Sequence, residues 1–317
     1  MNFSRSIALC TLAVVGLTAF TAGAEAKRAF RFVANGQAIT DGERWAVIHP
    51  PPRLRANTPV LVLDTKAHTS FSLYRPDGRC DAMAVGAGRL LWSCPDPQVN
   101  QRPVVTNLVT RESAEPPGWP ALRERYGGAS GSDFRPSGVG RSWIEVDVLR
   151  FHGPTRAFLN SRTGAQVIDG PVSPREYADL DDEALVKPLC SPLARRPHPD
   201  GGDPFYDGPS FLDPVVSGPY ALYDQAGPGV LRRCGRRRGF RLHGCDTELC
   251  SPQLGAGYVT WTGEWQIGAY FPRRKRSLKL GTLRGSLPVS LQHTRNRVFA
   301  TSERNATYVR RLPLTAR

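Results

Sequence analysis

The hydrophobic and polar positions of this chain alternate in short runs and do not repeat at helical spacing. Glycine and proline separate runs in which apolar and polar side chains alternate, as in Val60-Leu-Val-Leu-Asp64 and Arg156-Ala-Phe-Leu-Asn160. Alternation with a period of two puts the apolar side chains on one face, which is typical of half-buried β-strands. The pattern therefore predicts an all-β protein.

One kind of run recurs along the chain, in which a turn is followed by a strand centred on an aromatic residue. These aromatic residues are Trp45, Trp92, Trp143, Tyr223, Trp261 and Phe299, at successive separations of 47, 51, 80, 38 and 38 residues. A hydrophobic segment precedes most of these strands, and one or two short runs follow them. Units of four short strands, repeated about every 40–50 residues, are the signature of propeller blades. The six units predict a six-bladed β-propeller of four-stranded antiparallel blades.

Both ends of the chain bear on this architecture. The last unit, over about residues 292–314, supplies only three strands, and Phe30-Arg-Phe-Val33 is the candidate for its fourth. Such an exchange closes the propeller and removes an exposed sheet edge. The 80-residue separation includes a segment with seven prolines, residues 187–214, which we interpret as a loop inserted into the third blade. Because this gap weakens the periodicity, a pair of β-sandwich domains remains the alternative.

With its aromatic strands and closing N-terminal strand, the chain resembles the bacterial six-bladed propellers of the TolB-like and WD40-like kind over nearly all of residues 27–317. The resemblance is architectural. The blades carry neither Trp-Asp dipeptides nor Asp boxes, so no functional residues can be transferred from a family.

The first 26 residues have the three parts of a secretory signal peptide. Arg5 is positively charged, Ile7 to Phe20 is an apolar run too short to span a membrane, and Ala22-Gly23-Ala24 and Ala24-Glu25-Ala26 are candidate cleavage triplets. We therefore predict a bacterial protein that is secreted, or periplasmic where the source has an outer membrane. Residues 27–317 are predicted to form one domain, without a transmembrane segment and as a monomer.

After removal of the signal, six cysteines remain, an even number that favours disulfides in an exported chain. Cys80 and Cys94 are equidistant from the centre of the Gly86-Ala-Gly88 turn, so adjacent antiparallel strands bring them opposite each other. Cys234 and Cys245 flank a second turn in the same way. Cys190 is then left for Cys250. No Cys-x-x-Cys pair occurs, so we predict neither a metal site nor a cofactor.

Positive charge is concentrated in the last part of the chain. From Gly218 to Arg317 there are 18 Lys or Arg against 5 Asp or Glu, whereas from Lys27 to Ser217 there are 23 against 22. The densest runs are predicted to lie in equivalent turns, between the third and fourth strands of neighbouring blades, and to merge into one basic patch. Its residues are Arg232, Arg233, Arg236, Arg237, Arg238, Arg273, Arg274, Lys275 and Arg276.

The basic patch favours a binding or scaffold protein whose basic face engages an anionic extracellular polymer, such as a cell-envelope polymer. Nucleic acid is the weaker candidate, since aromatic residues are not interleaved with the arginines. The sequence shows no HExxH, Gly-x-Ser-x-Gly or calcium-binding carboxylate cluster. Catalysis is therefore the less favoured class, with a hydrolase or lyase acting at the central channel as the alternative. Glu145 and Asp147 are candidates for lining such a channel, and salt bridges at the end of a strand explain them equally well.

Overall fold

The computed structural model describes residues 29–51, 58–127, 133–149, 155–168, 215–217, 220–223, 230–233, 239–242, 252–255, 257–263, 266–283 and 285–312. Some predictions lie outside these residues: the signal peptide, the proline-rich loop 187–214, the turn residues Arg236, Arg237 and Arg238, and the pairs Cys234–Cys245 and Cys190–Cys250.

The described residues form four-stranded antiparallel sheets, numbered here I to VI in chain order. The first three sheets are sheet I with β2 (Gln37–Thr40), β3 (Trp45–His49), β4 (Val60–Asp64) and β5 (Thr69–Leu73); sheet II with β6 (Asp81–Gly86), β7 (Arg89–Pro95), β8 (Gln101–Asn107) and β9 (Ser113–Ala114); and sheet III with β10 (Asp133–Val139), β11 (Trp143–Leu149), β12 (Thr155–Asn160) and β13 (Gln166–Ile168).

The remaining three sheets follow the same plan. They are sheet IV with β14 (Val215–Ser217), β15 (Tyr220–Tyr223), β16 (Val230–Arg233) and β17 (Gly239–Arg241); sheet V with β18 (Gln253–Gly255), β19 (Tyr258–Thr262), β20 (Ile267–Phe271) and β21 (Arg276–Gly281); and sheet VI with β22 (Pro288–Thr294), β23 (Arg297–Ser302), β24 (Ala306–Arg311) and, as its fourth strand, β1 (Arg31–Asn35).

Within sheets I to V the strands pair in chain order, and in sheet VI the strand β1 is added beside β24. First strands contact one another in succession, β22 with β2, β2 with β6, β6 with β10, β14 with β18 and β18 with β22. The step from β10 to β14 spans residues 169–214, which lie outside the described residues. This arrangement confirms the all-β class and the four-stranded antiparallel blades. Closure into a ring of six blades stays a prediction.

The exchange of an N-terminal strand into the last sheet is confirmed. Strand β1 pairs antiparallel with β24, and Arg31 lies opposite Val309. The Phe32 ring meets Tyr308 edge to face, with 5.8 Å between the ring centroids. The observed strand begins one residue later and ends two residues later than the segment that the sequence indicates.

The aromatic residue of each repeating unit lies on the second strand of its sheet. In sheet V the second and third strands, β19 (YVTWT) and β20 (IGAYF), are buried throughout. The fourth strands β5 and β21 are mostly exposed. Gly268 permits one close approach in this packing, because a Cβ there would lie 2.4 Å from the ring of Trp261 on the adjacent strand.

A single helix in the described residues, α1 (Trp119–Gly127), was not expected from the sequence. Its buried residues Trp119, Leu122 and Tyr126 lie on one side and pack against Phe134, whose ring centroid is 5.0 Å from that of Trp119. The segment contains Pro120 and three charged residues in nine, so it lacks a clear helical pattern. No helix of the described residues is long and apolar enough to cross a membrane.

Candidate anion-binding surface

In sheets I, II, III and V two sets of turns lie on the same edge, because successive antiparallel strands reverse direction. These are the turn between the first and second strands and the turn between the third and fourth strands. In four sheets a backbone N–H just after the third strand donates to a carbonyl of the first turn: Thr65 to Arg44 (2.9 Å), Leu108 to Gly88 (2.9 Å), Ser161 to Ser142 (2.7 Å) and Leu312 to Asn296 (2.9 Å). This repeated hydrogen bond gives the edge a common construction.

The edge that carries these turns is rich in cations, and we call it the basic face. In its described turns the lysines and arginines are Arg44, Lys66, Arg111, Arg141, Arg162, Arg273, Arg274, Lys275 and Arg295, against the acids Asp41, Glu43 and Glu112. Among the described residues, the turns and connections at the other edge, which we call the opposite face, are balanced in charge. They carry Arg75, Arg79, Arg123, Arg125 and Arg304 against Asp77, Asp96, Glu115, Glu124 and Glu303. The residues of the two edges are interspersed along the chain. The fold is therefore what separates them into a basic edge and a balanced edge.

Contacts between neighbouring sheets run along the basic face. The Arg295 N–H donates to the Glu43 carbonyl at 2.9 Å and joins sheet VI to sheet I. The Arg111 guanidinium lies 4.5 Å from the ring centroid of Phe71 and joins sheet II to sheet I. Arg89 Nη1 donates to the carbonyls of Gly140 at 2.8 Å and Arg141 at 2.7 Å, which joins sheet II to sheet III. The basic turns of sheets VI, I, II and III thus form one continuous surface.

Sheet V joins the same surface through a tyrosine. The hydroxyl of Tyr258 donates to the carbonyl of Thr294 at 2.7 Å, where the first turn of sheet VI begins. In sheet V itself, Arg273, Arg274 and Lys275 lie between β20 and β21 and are exposed. Their turn is therefore part of the basic face.

Part of each predicted basic cluster lies among the described residues, at or just after the end of a third strand. Arg276 is the first residue of β21 and is exposed, and together with residues 273–275 it forms the turn between the third and fourth strands of sheet V. Arg232 and Arg233 end β16, the third strand of the neighbouring sheet IV, and Arg233 is exposed. The side chain of Arg232 and residues 236–238 lie outside the described residues. Merging of the two clusters into one patch stays a prediction.

Two arginines face each other where sheet VI reaches the basic face. Arg297 on β23 and Arg311 on β24 are cross-strand partners, which puts their side chains on the same side of the sheet. Burial, and after it the positive charge of Arg311, lower the pKa of the Arg297 guanidinium. Arg297 also donates through Nη2 to Nδ1 of His68 in sheet I, at 2.7 Å. Two positive charges on the same side of the sheet repel each other, and a bound anion would relieve this repulsion.

The carboxylates of the basic face hold the turns in place. Asp41 Oδ1 accepts backbone N–H groups of Glu43, Arg44 and Trp45 at 2.8–2.9 Å. Burial raises the pKa of Asp41 in spite of these hydrogen bonds. Asp64 accepts from Arg44 Nε at 2.9 and 3.0 Å, and this side-chain hydrogen bonding lowers the pKa of Asp64. The carboxylates of Asp41 and Asp64 therefore accept hydrogen bonds from backbone N–H groups and from Arg44. The basic residues around them are more numerous.

A repeated turn that the sequence reasoning missed shapes the basic face. Asp64, Asn107 and Asn160 each end a third strand, and the Oδ1 of each accepts two backbone N–H groups, two and three residues further on, at 2.8–3.3 Å. An Asp or Asn that caps its own turn in this way fixes the turn conformation. The sequence could have revealed this turn, because an Asp or Asn directly follows an apolar run and recurs after 43 and then 53 residues.

The candidate channel residues do not occupy the expected position. Glu145 and Asp147 belong to β11, the second strand of sheet III, whereas β10 is the first strand. Since first strands contact one another between neighbouring sheets, residues that line a channel come from β10 and its equivalents. The expectation that Glu145 and Asp147 line the channel was wrong, because the alternating pattern shows which residues share a face but not the position of their strand in the sheet.

Cys80 and Cys94 form a disulfide with a Cα–Cα distance of 4.1 Å, the pairing that the turn at residues 86–88 predicts. Asp81 pairs with Ser93 in the adjoining strands, so the two cysteines continue that register. Asp77 Oδ1 lies 3.0 Å from Cys80 Sγ, and the three residues are one cluster of potential metal ligands. Both sulfurs are consumed by the disulfide, so neither is available as a thiolate ligand.

No protein-family model and no curated protein matches the chain. Solved structures that resemble it include TolB from Acinetobacter baumannii, 9% identical, with 85% of this chain and 64% of that chain covered and a TM-score of 0.37. BamB from Moraxella catarrhalis is 10% identical, with 89% and 71% covered and a TM-score of 0.29. A gluconolactonase from Xanthomonas campestris is 10% identical, with 89% and 87% covered and a TM-score of 0.41. The chain spans about half, 49%, of the isopeptidase AtxE2, which it also resembles. The likeness is architectural and carries no argument about activity.

Proposed function

We propose that this chain is an exported binding protein whose basic face engages an anionic polymer of the cell envelope or its surroundings. The unequal charge of the two edges carries the proposal: nine cations against three anions in the described turns of the basic face, and five against five at the opposite face. Clustered cations attract polyanions and make the affinity depend on salt. Arginine, the predominant cation here, forms paired hydrogen bonds with phosphate and carboxylate groups.

Export is part of the same proposal. It is supported by the disulfide between Cys80 and Cys94, since such bonds persist in oxidising compartments. Expression of the full chain in a bacterial host should give a mature N-terminus after Ala24 or Ala26, measured by intact mass. A mature protein that retains residues 1–26 would contradict the predicted cleavage.

The binding experiment uses long-chain inorganic polyphosphate on a resin and compares two triple variants. Arg273→Ser/Arg274→Ser/Arg276→Ser removes exposed arginines of the basic face, and Arg79→Ser/Arg125→Ser/Arg304→Ser removes exposed arginines of the opposite face. Both variants lose the same charge. We expect the first to reduce the slope of log affinity against log salt by about 2–3, between about 50 and 200 mM salt, and the second to leave it nearly unchanged.

Two outcomes would contradict the proposal. Equal loss in both variants would show that net charge, and not the basic face, determines retention. No retention of the unmodified protein at low salt, on polyphosphate or on acidic polysaccharide, would remove the basis for an anionic ligand.

A further inference from the structure

The turns between the third and fourth strands share an unusual backbone conformation. One residue late in each of four such turns has a positive φ: His68 at 61° in sheet I, Arg111 at 67° in sheet II, Gly164 at 73° in sheet III and Lys275 at 49° in sheet V. Among the described residues, five that are not glycine have a positive φ, and the other two, Ala87 and Asn305, lie in turns of other kinds. All three non-glycine residues at this turn position therefore carry basic side chains.

Glycine is the residue that adopts this conformation without steric cost, whereas a Cβ is strained there. Gly164 has a further reason to be glycine, because a Cβ would lie 3.3 Å from the backbone nitrogen of Gly118. His68, Arg111 and Lys275 keep their side chains despite the strain, and all three are exposed. Burial in the core therefore does not explain them. Strained residues that persist on a surface commonly serve function.

Two of these side chains also lie close to the neighbouring sheet. His68 Nδ1 accepts from Arg297, so the proton of the neutral ring is on Nε2 and is available to a ligand. Arg311 is the cross-strand partner of Arg297, which puts a second guanidinium on the same side of sheet VI. His68, Arg297 and Arg311 thus bring imidazole and guanidinium donors to one part of the basic face, and charge-assisted donors of this kind bind phosphate oxygens.

We propose that His68, Arg111 and Lys275 are contact residues for the tetrahedral oxyanions of a linear polyanion, which runs from sheet V across sheet VI to sheets I and II. This inference rests on the proposed function and deepens it, because it extends the contact surface beyond the arginine runs of the last sheets. It also names the anionic group, a phosphate or sulfate, and predicts that these positions trade stability for binding.

Lys275 gives the sharpest test. Lys275→Gly removes the strain and the charge together, so we expect a rise in Tm of about 2 °C and a loss of affinity for polyphosphate of about fivefold. Lys275→Arg keeps the charge and should retain the affinity. Asn305→Gly, at a left-handed position of the opposite face, should raise Tm in the same way without any change in binding.

His68→Gly and Arg111→Gly extend the test to sheets I and II. Arg111→Gly should reduce the salt slope of polyphosphate binding by about one, whereas His68→Gly removes a neutral donor and should lower the affinity with little change in the slope. The gain in Tm should be smaller than for Lys275→Gly, since each also loses a contact with the neighbouring sheet. Dextran sulfate in place of polyphosphate distinguishes sulfate from phosphate as the bound group, and poly-glutamate tests the preference over carboxylates.

The outcomes separate this inference from the proposed function. If the three glycine variants bind polyphosphate like the unmodified protein while Arg273→Ser/Arg274→Ser/Arg276→Ser loses binding, the inference fails and the proposed function stands. If poly-glutamate binds as tightly as polyphosphate of equal charge, the assignment of a tetrahedral oxyanion is wrong. If the unmodified protein binds none of the three polymers, the proposed function fails as well.

Discussion

The basic face and the opposite face use arginine in different ways. At the opposite face, arginines bind carboxylates that connect neighbouring segments: Arg123 lies 3.3 Å from Asp96, and Arg102 pairs with Glu115 and lies 3.5 Å from Asp77. The disulfide and the buried side of α1 belong to this region too. At the basic face the carboxylates hold turns, and the cations exceed them. One fold thus separates charges that stabilise the chain from charges that are available to a ligand.

Removal of the disulfide has the largest expected effect. It tests whether stabilising interactions at the opposite face are separate from binding at the basic face. Cys80→Ser/Cys94→Ser should lower the free energy of unfolding by about 2–4 kcal/mol, measured by urea denaturation. The bond lies at the opposite face, so polyphosphate binding by the folded variant should stay unchanged. Reduction of the unmodified protein with dithiothreitol should give at least the same loss, because it also cleaves the predicted bonds Cys234–Cys245 and Cys190–Cys250. A loss of binding without a loss of stability would contradict the separation.

A pair of single variants provides an intermediate test. Arg102→Ala breaks contacts with two carboxylates and the packing of a side chain that is only 26% exposed, so it should cost about 1 kcal/mol of stability and leave binding intact. Arg276→Ala should do the reverse, because its exposed side chain lies in the basic face. Both variants lose one positive charge. The same effect of both on binding would mean that the two edges are not functionally distinct.

The smallest expected effect concerns Asp64. Asn107 and Asn160 occupy its position in sheets II and III, so Asp64→Asn should keep the turn and lose only the ion pair with Arg44, at a cost of about 0.5–1 kcal/mol at pH 7. The pKa of Asp64 is lowered in the folded protein, so its stabilisation is present above the unfolded pKa of about 3.9 and disappears as pH falls through the folded pKa. Urea unfolding should show that the destabilisation of the variant is smaller at about pH 2.5 than at pH 7. A difference of the same size in acid would exclude the ion pair as its cause.

The strands were predictable because their signal is local. Trp45, Trp92 and their four counterparts identify the second strand of each sheet, and Phe30-Arg-Phe-Val33 identifies the closing strand, from alternation and turn residues alone. Helix α1 was missed because nine residues with a proline and several charges give no helical periodicity. It is stabilised by tertiary contacts of Trp119 with sheet III, which no local pattern records.

The candidate site was only partly predictable. The runs Arg232–Arg238 and Arg273–Arg276 were visible as dense charge, and the strand bounds put the described part of each at or just after the end of a third strand. Single cations such as Arg111 and Lys66 gave no such signal, since they become part of one surface only when successive strands reverse direction and the sheets lie side by side. The left-handed conformation at His68 depends on the turn that Asp64 fixes, and it is not a property of the histidine itself.

The pairing of β1 with β24 has a consequence for biogenesis. The fourth strand of sheet VI begins at residue 31, while its partner ends at residue 311, so this sheet cannot be completed until almost the whole chain has been synthesised. Closing so long a loop is entropically costly and makes this step a late one. The predicted cleavage after Ala26 would free an N-terminus only four residues ahead of β1. Sheet VI, which joins the two ends of the described chain, is therefore the sheet expected to form last.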